Sequence, residues 1–144
     1  MGAIVVGVDG STSSREALRW AARQAEITGA TLDVVMTWEP LNREAWVPHD
    51  ASQRDPLALT RRSVHALVEE ELGPHPPVEV RARAAEGPPA KVLLHEAQEA
   101  DLLVLGNRGL GGFAGLLLGS VGLQCATHAP CPVVVVHARR APAP

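Results

Sequence analysis

Hydrophobic positions along this chain form short continuous runs that alternate with segments of helical periodicity. A continuous apolar run of strand length is typical of a parallel strand that is buried on both faces. Such runs cover residues 3–9, 31–38, 101–106 and 132–137. The segment 78–84 instead alternates apolar and charged residues, which predicts an edge strand with one solvated face. The pattern therefore predicts five strands.

Segments with the signals of α-helices separate these strands. They cover residues 13–29, 55–73, 88–100 and 120–129. Ser13 and Glu16 have the spacing of a capping box, which predicts the start of the first helix. Asp55 before Pro56 is a typical start for the second helix, because Asp caps well and Pro fits the first helical position.

The alternation of strands and helices predicts an α/β fold. We expect a doubly wound, five-stranded parallel sheet with helices on both faces. Glycine-bearing loops, GVDGS and GNRGLGG, follow the first and fourth strands. Ligands bind such sheets at the carboxyl ends of the strands, where the winding direction reverses. If these two strands are neighbours, the strand order is 3-2-1-4-5. Residues 1–138 are predicted to form this single domain, and residues 139–144 a disordered tail.

Composition narrows the classes of partner. The chain has 144 residues and a net charge of −3, so it has no overall attraction to nucleic acid or to an anionic membrane. No apolar stretch approaches the length of a membrane span, and the start, MGAIVVGVDG, lacks the basic residues of a secretory signal. We therefore expect a cytoplasmic protein that has no nucleic-acid or membrane partner.

The glycine-rich region 102–122 is the strongest candidate for a ligand-binding site. Two familiar phosphate-binding motifs do not match it. A Walker A loop needs a lysine at the helix start, but the single lysine is Lys91. The segment GLGGFA, residues 109–114, fits a dinucleotide fingerprint. That fingerprint also needs an acidic residue about twenty positions later, and no Asp or Glu follows Asp101.

A wider spacing, Gly106-x2-Gly109-x9-Gly119-Ser120, suits a phosphate site better. Glycines after the strand let backbone N–H groups approach a phosphate. Gly119 and Ser120 precede a predicted helix, whose first N–H groups and dipole favour an anion. The alternative is that these glycines only form tight turns or allow close packing.

The chain resembles the universal stress protein family in three segments that span nearly its whole length. These segments are IVVGVDGS, ADLLVLGNRGLGGFAGLLLGSV and HAPCPVVVV. In that family the G-x2-G-x9-G-(S/T) motif marks the members that bind ATP, so the resemblance implies ATP as the ligand. The nucleotide-binding residues that it implies are Val8, Asp9, Val35, Met36, Thr37, Gly106, Arg108, Gly109, Gly119, Ser120 and Val121.

Asp9 in this set has an alternative role, and the chain departs from the family pattern at one position next to the set. Asp9 could orient the adenosine or hold a Mg²⁺ that bridges the phosphates, or it could simply cap the loop and helix that follow. The family often has a second Ser or Thr two residues after the motif, where this chain has Gly122. The missing hydroxyl contact is worth about 1 kcal/mol, so we expect weaker binding.

The family resemblance also implies a homodimer that pairs through the last strand, Pro132 to His137. An apolar strand at a sheet edge is a poor surface to leave unpaired, which favours the same conclusion. No residue is identified as catalytic, so we expect a regulatory or sensing protein in the stress response with little or no hydrolysis. The alternatives are a slow ATPase or adenine-nucleotide hydrolase, and a dimerisation module without useful nucleotide affinity.

Overall fold

The computed structural model describes residues 2–40, 55–107 and 118–138. The strands are β1 Ala3–Gly7, β2 Thr31–Trp38, β3 Val80–Glu86, β4 Leu102–Gly106 and β5 Val133–Val136. The helices are α1 Thr12–Thr28, α2 Pro56–Leu72, α3 Pro89–Glu96 and α4 Ser120–His128, and a 3₁₀ turn, Ala97–Glu99, follows α3. In the described part of the chain, none of the helices has both the length and the apolar character needed to cross a membrane.

The five strands form one parallel sheet in the order β3-β2-β1-β4-β5, which confirms the predicted topology. β1 lies at the centre, where Val5 aligns with Asp33 of β2 and Leu103 of β4. The winding reverses between β1 and β4. The carboxyl ends of these two strands therefore flank the point where α/β sheets bind ligands.

Two hydrophobic clusters cover opposite faces of the sheet. Side chains from α1 and α2, including Leu18 and Val64, pack on one face against Val6 and its neighbours. Leu93 of α3 and Cys125 of α4 pack on the other face. The helices therefore lie in pairs on the two faces, as the sequence predicts.

The first helix begins two residues before the predicted capping box. Ser11 is the N-cap, and its side chain accepts a hydrogen bond from the Ser14 N–H. Ser13 is inside the helix and is buried, while Glu16 forms an ion pair with Arg19 one turn later. The predicted role of Ser13 is thus wrong, because Ser11 supplies the same chemistry at a position where the backbone is still extended.

Two other boundaries differ from the prediction. β3 is shifted towards the C-terminus and ends at Glu86, because it follows the long strand β2 as far as the pair of Trp38 with Glu86. The third helix ends at Glu96 and tightens into the 3₁₀ turn rather than continuing to Ala100. The predicted cap of α2 is confirmed, since the Asp55 side chain accepts a hydrogen bond from the Leu57 N–H.

Candidate functional site

The loop after β1 begins at the centre of the carboxyl edge of the sheet. The Val8 N–H donates to the Val35 carbonyl oxygen at 3.0 Å, which carries the pairing of β1 with β2 one residue beyond the strand. Val8 is buried, whereas Asp9 is exposed. Gly10 has a φ of +85°, a backbone conformation that glycine adopts without steric cost. The chain therefore turns sharply at the sheet edge and leaves Asp9 accessible.

Asp9 takes part in the hydrogen bonds that organise this loop. Its Oδ1 accepts the Ser11 N–H at 2.9 Å, and its own N–H donates to the Ser14 Oγ at 3.3 Å. The Ser14 hydroxyl in turn donates to the Ser11 carbonyl oxygen at 3.0 Å. The capping interpretation of Asp9 is therefore present in the structure, and one of its oxygens is already engaged.

The end of β4 and the start of α4 are hydrogen-bonded to each other. The Gly119 N–H donates to the Asn107 carbonyl oxygen at 2.7 Å, and the Asn107 N–H donates to the Val136 carbonyl oxygen at 2.9 Å. Asn107 is buried. The two ends of the glycine-rich segment therefore meet at the carboxyl end of β4, where Gly119 is bonded to the residue that follows Gly106.

The start of α4 differs from that of α1 in its capping, since the Ser11 side chain caps α1. Gly119 is its N-cap, with φ −74° and ψ 171°, and no described side chain caps it. Helix geometry leaves the first N–H groups without partners inside the helix, and here Ser120 and Val121 carry them. Ser120 is exposed and Val121 half-buried. These donors, together with the positive end of the helix dipole, suit an anionic ligand.

Gly106 has a packing role that the motif alone does not reveal. A Cβ built at this position would lie 2.5 Å from the Ser13 Oγ and 2.7 Å from both the Ser13 carbonyl carbon and the Ser14 nitrogen. Two of these three atoms belong to the backbone of α1. Gly106 therefore lets the first turn of α1 lie directly against the end of β4.

The predicted nucleotide-binding residues on β2 offer mainly backbone groups and one hydroxyl. The Val35 side chain is fully buried in the cluster beneath α3 and α4, while Met36 packs on the opposite face of the sheet. Thr37 is half-buried near the end of the strand. The alternation of a β-strand sends neighbouring side chains to opposite faces, so Val35 and Met36 cannot both line one pocket through their side chains.

Arg108 and Gly109, two of the predicted nucleotide-binding residues, lie outside the described residues. Most of the long connection between β2 and α2, residues 41–54, lies outside them too. The other predicted residues all lie at or near the carboxyl edge of the sheet. Asn107 is a residue of the site that the sequence did not single out. The available signal was that Asn107 is polar and directly follows a buried strand.

Neither a metal cluster nor an activated thiol is present among the residues that the structure describes. No group of three His, Cys, Asp or Glu side chains there could hold a metal ion. Cys125 and Cys131 are free, and burial raises the pKa of each thiol. A raised pKa disfavours the reactive thiolate. Any Mg²⁺ would therefore need phosphate oxygens and water as most of its ligands.

Comparison with known proteins identifies the family. A model of the universal stress protein family matches residues 1–137. A universal stress protein of Mycolicibacterium smegmatis is 34% identical over 144 residues, which cover 94% of this chain and 46% of the relative. A universal stress protein of Mycobacterium tuberculosis is 32% identical over 142 residues, with 93% of this chain and 47% of the relative covered.

The chain thus spans about half the length of the curated relatives it matches. Among solved structures, a universal stress protein in complex with cAMP is similar, with a TM-score of 0.67 and 31% identity. That match covers 96% of this chain and 98% of the other. Matched by the family over nearly its whole length and sharing the fold of a solved member, this chain belongs to the universal stress protein family.

Proposed function

We propose that this chain binds an adenine nucleotide at the carboxyl edge of its sheet and acts as a regulator or sensor in the stress response. ATP is the ligand that the G-x2-G-x9-G-S motif favours. The observation that carries the proposal is the junction at Asn107 and Gly119. It presents a helix start that none of the described side chains caps, at the point where the winding of the sheet reverses.

The contacts suggest how such a ligand would be held. The phosphates would accept hydrogen bonds from the first turn of α4, including the Ser120 hydroxyl. The adenosine would lie towards Asp9 and the end of β2. Asp9 is exposed, so its carboxylate could also meet a ribose hydroxyl or a water bound to Mg²⁺. Binding without catalysis suits a regulatory site, and no described residue is identified as a nucleophile or general base.

A nucleotide with fewer phosphates, such as AMP or cAMP, is a second candidate that one contact favours. Gly122 is buried, and a Cβ at this position would lie 2.5 Å from the Leu118 Cδ1. An apolar side chain therefore lies where the family often has a second hydroxyl, so the site has one donor fewer for a long phosphate chain. The similar solved structure holds cAMP.

Binding is tested by mass spectrometry of any ligand that co-purifies with the native protein, followed by calorimetric titration of ATP, AMP and cAMP with and without Mg²⁺. Gly119→Val is expected to abolish binding, since its extended backbone tolerates a side chain that would then obstruct the helix start. Ala126→Val adds the same side chain to the exposed face of the same helix and should bind normally. Equal affinity in both variants would contradict the proposed site.

The order of affinities separates the two candidates. If ATP is the ligand, it binds more tightly than AMP or cAMP, and Ser120→Ala weakens it by about 1 kcal/mol. If cAMP or AMP binds more tightly, the second candidate replaces the first. Steady phosphate release from ATP that disappears in Gly119→Val would instead indicate a slow ATPase.

We also propose a homodimer that forms through β5, in a cytoplasmic protein. β5 is the last strand of the sheet order, and all four of its valines are half-buried. The Pro132 carbonyl oxygen accepts a hydrogen bond from the Leu103 N–H of β4, and the Val136 carbonyl oxygen accepts one from the Asn107 N–H directly after β4. Since the backbone groups of a strand alternate in direction, those of Val133 and Val135 point to the free edge, where a second copy could pair.

A further inference from the structure

A cavity lies at the opposite end of the sheet from the proposed nucleotide site. Its volume is about 350 Å³, and the amino-terminal halves of β1 and β2 form its floor. The end of α3 and the 3₁₀ turn form its rim. Ala3, Val5 and Asp33 line the floor, while His95, Gln98 and Glu99 line the rim. A cavity of this size is within the range of small-molecule sites.

Asp33 is an unusual residue for this floor. It is 8% exposed and stands between the apolar residues Leu32 and Val34, and its Oδ1 is sealed from solvent without a hydrogen bond from the described residues. Burying a carboxylate is costly unless hydrogen-bond donors compensate its charge. The fold therefore keeps a buried negative charge on the wall of a cavity.

The protein itself neutralises this charge poorly. Arg81 is the cross-strand neighbour of Asp33, but its Nε lies 3.9 Å from the Asp33 Oδ1 and 3.8 Å from the Glu79 Oε1. The Arg81 side chain is 58% exposed, so solvent screens its attraction to Asp33. Arg81 is thus shared between two carboxylates and is too far from Asp33 for a hydrogen bond.

The remaining charges at the cavity favour a cation. Arg83 is held by Glu96, whose Oε2 accepts a hydrogen bond from the Arg83 Nη2 at 2.5 Å, so this arginine offers little to an anion. Glu99 adds an exposed carboxylate at the rim. A metal ion is less suited than an organic cation, because the described residues hold no cluster of three metal-binding side chains.

We propose that this cavity binds a small aliphatic primary amine, with its ammonium group donating to the Asp33 carboxylate. An ammonium has three donors, whereas the described residues offer no hydrogen bond to the Oδ1 of Asp33, a residue that lines this cavity. Glu99 attracts the same cation at the entrance. The site lies at the amino-terminal half of the strands and shares no residue with the nucleotide site, so it stands whether or not a nucleotide binds.

The proposal is tested by calorimetric titration of the full chain with putrescine at low salt. Asp33→Asn removes the charge with little change of shape, and Glu26→Gln removes one charge from an exposed position on α1, across the sheet. We expect putrescine to bind the wild type and Glu26→Gln equally, and Asp33→Asn about tenfold more weakly. Equal binding to all three proteins, or no binding to the wild type, would overturn the proposal.

Two measurements on the wild type keep the test independent of how well Asp33→Asn folds. Tetramethylammonium carries the charge without a donor, so it should bind at least about tenfold more weakly than putrescine. Putrescine should also shift the backbone amide signals of Asp33 and Ala100 in nuclear magnetic resonance spectra. Shifts confined to the carboxyl edge, or equal affinity for the two cations, would refute an ammonium site at Asp33.

Discussion

At the scale of single residues, glycines that look alike in the sequence have different roles. Gly10 turns the chain with a positive φ, whereas Gly119 has an ordinary extended backbone and stands at the start of α4. Gly106 permits close packing of α1 on β4, because a side chain there would meet backbone atoms. Gly106 therefore has the packing role that was the alternative to ligand binding. It is also part of the predicted ligand site.

Gly106→Ala is expected to destabilise the fold by about 1–3 kcal/mol, because the first turn of α1 must move to admit the methyl group. The free energy of unfolding in denaturant measures this effect. Gly7→Ala is the matched control at the end of β1, where the nearest atoms belong to the side chains of Leu93 and Leu105. Those side chains can shift, so the control should lose less stability. Equal losses would contradict the backbone-contact explanation.

At the scale of elements, ion pairs join the two helices on one face of the sheet. Glu71 of α2 accepts hydrogen bonds from Arg15 and Arg19 of α1, and Glu70 accepts one from Arg15 at 2.8 Å. Burial disfavours the ionised form of Glu71, but the two arginines outweigh it and lower the pKa of this carboxyl. The network therefore holds α1 against α2 most strongly when Glu71 is charged.

Glu71→Gln is expected to lower the free energy of unfolding at pH 7 by about 1–2 kcal/mol, because charge-assisted hydrogen bonds are lost. The pKa of Glu71 is lowered in the fold, so its stabilisation is complete above its ordinary value of 4.5 and is lost as pH falls through the folded-state value. Denaturation of both proteins from pH 7 down to acid should show their difference shrink.

Glu69→Gln provides the control for this pH dependence. Glu69 is exposed on the same helix, and its removal should change stability little at any pH. If the difference between Glu71→Gln and the wild type were independent of pH, the charge of Glu71 would not be the source of the stabilisation.

At the scale of the whole molecule, the sheet ends in two different edges. β3 carries exposed arginines on its edge, and charged side chains protect an edge strand from pairing with other chains. β5 at the other end carries only valines. This asymmetry favours association through β5 and not through β3.

Val135→Pro tests this assembly, because the lost N–H points to the free edge and proline is tolerated there. We expect a folded monomer, measured by light scattering and circular dichroism. Val134→Pro is the comparison at the adjacent position, where the N–H points towards β4, and it should destabilise the fold itself. A dimer that survives Val135→Pro would exclude pairing through this strand.

The sequence by itself determined the fold class and the strand order, and it predicts where the ligand site lies. It did so because continuous apolar runs, helix caps and glycine loops are local patterns, each contained in a short stretch of consecutive residues. The tertiary structure decided which serine caps α1, because Ser13 is buried where the first turn of α1 packs against the end of β4. It also revealed the junction of Asn107 with Gly119 and the buried charge of Asp33, because hydrogen bonds and burial depend on residues that are distant in the chain.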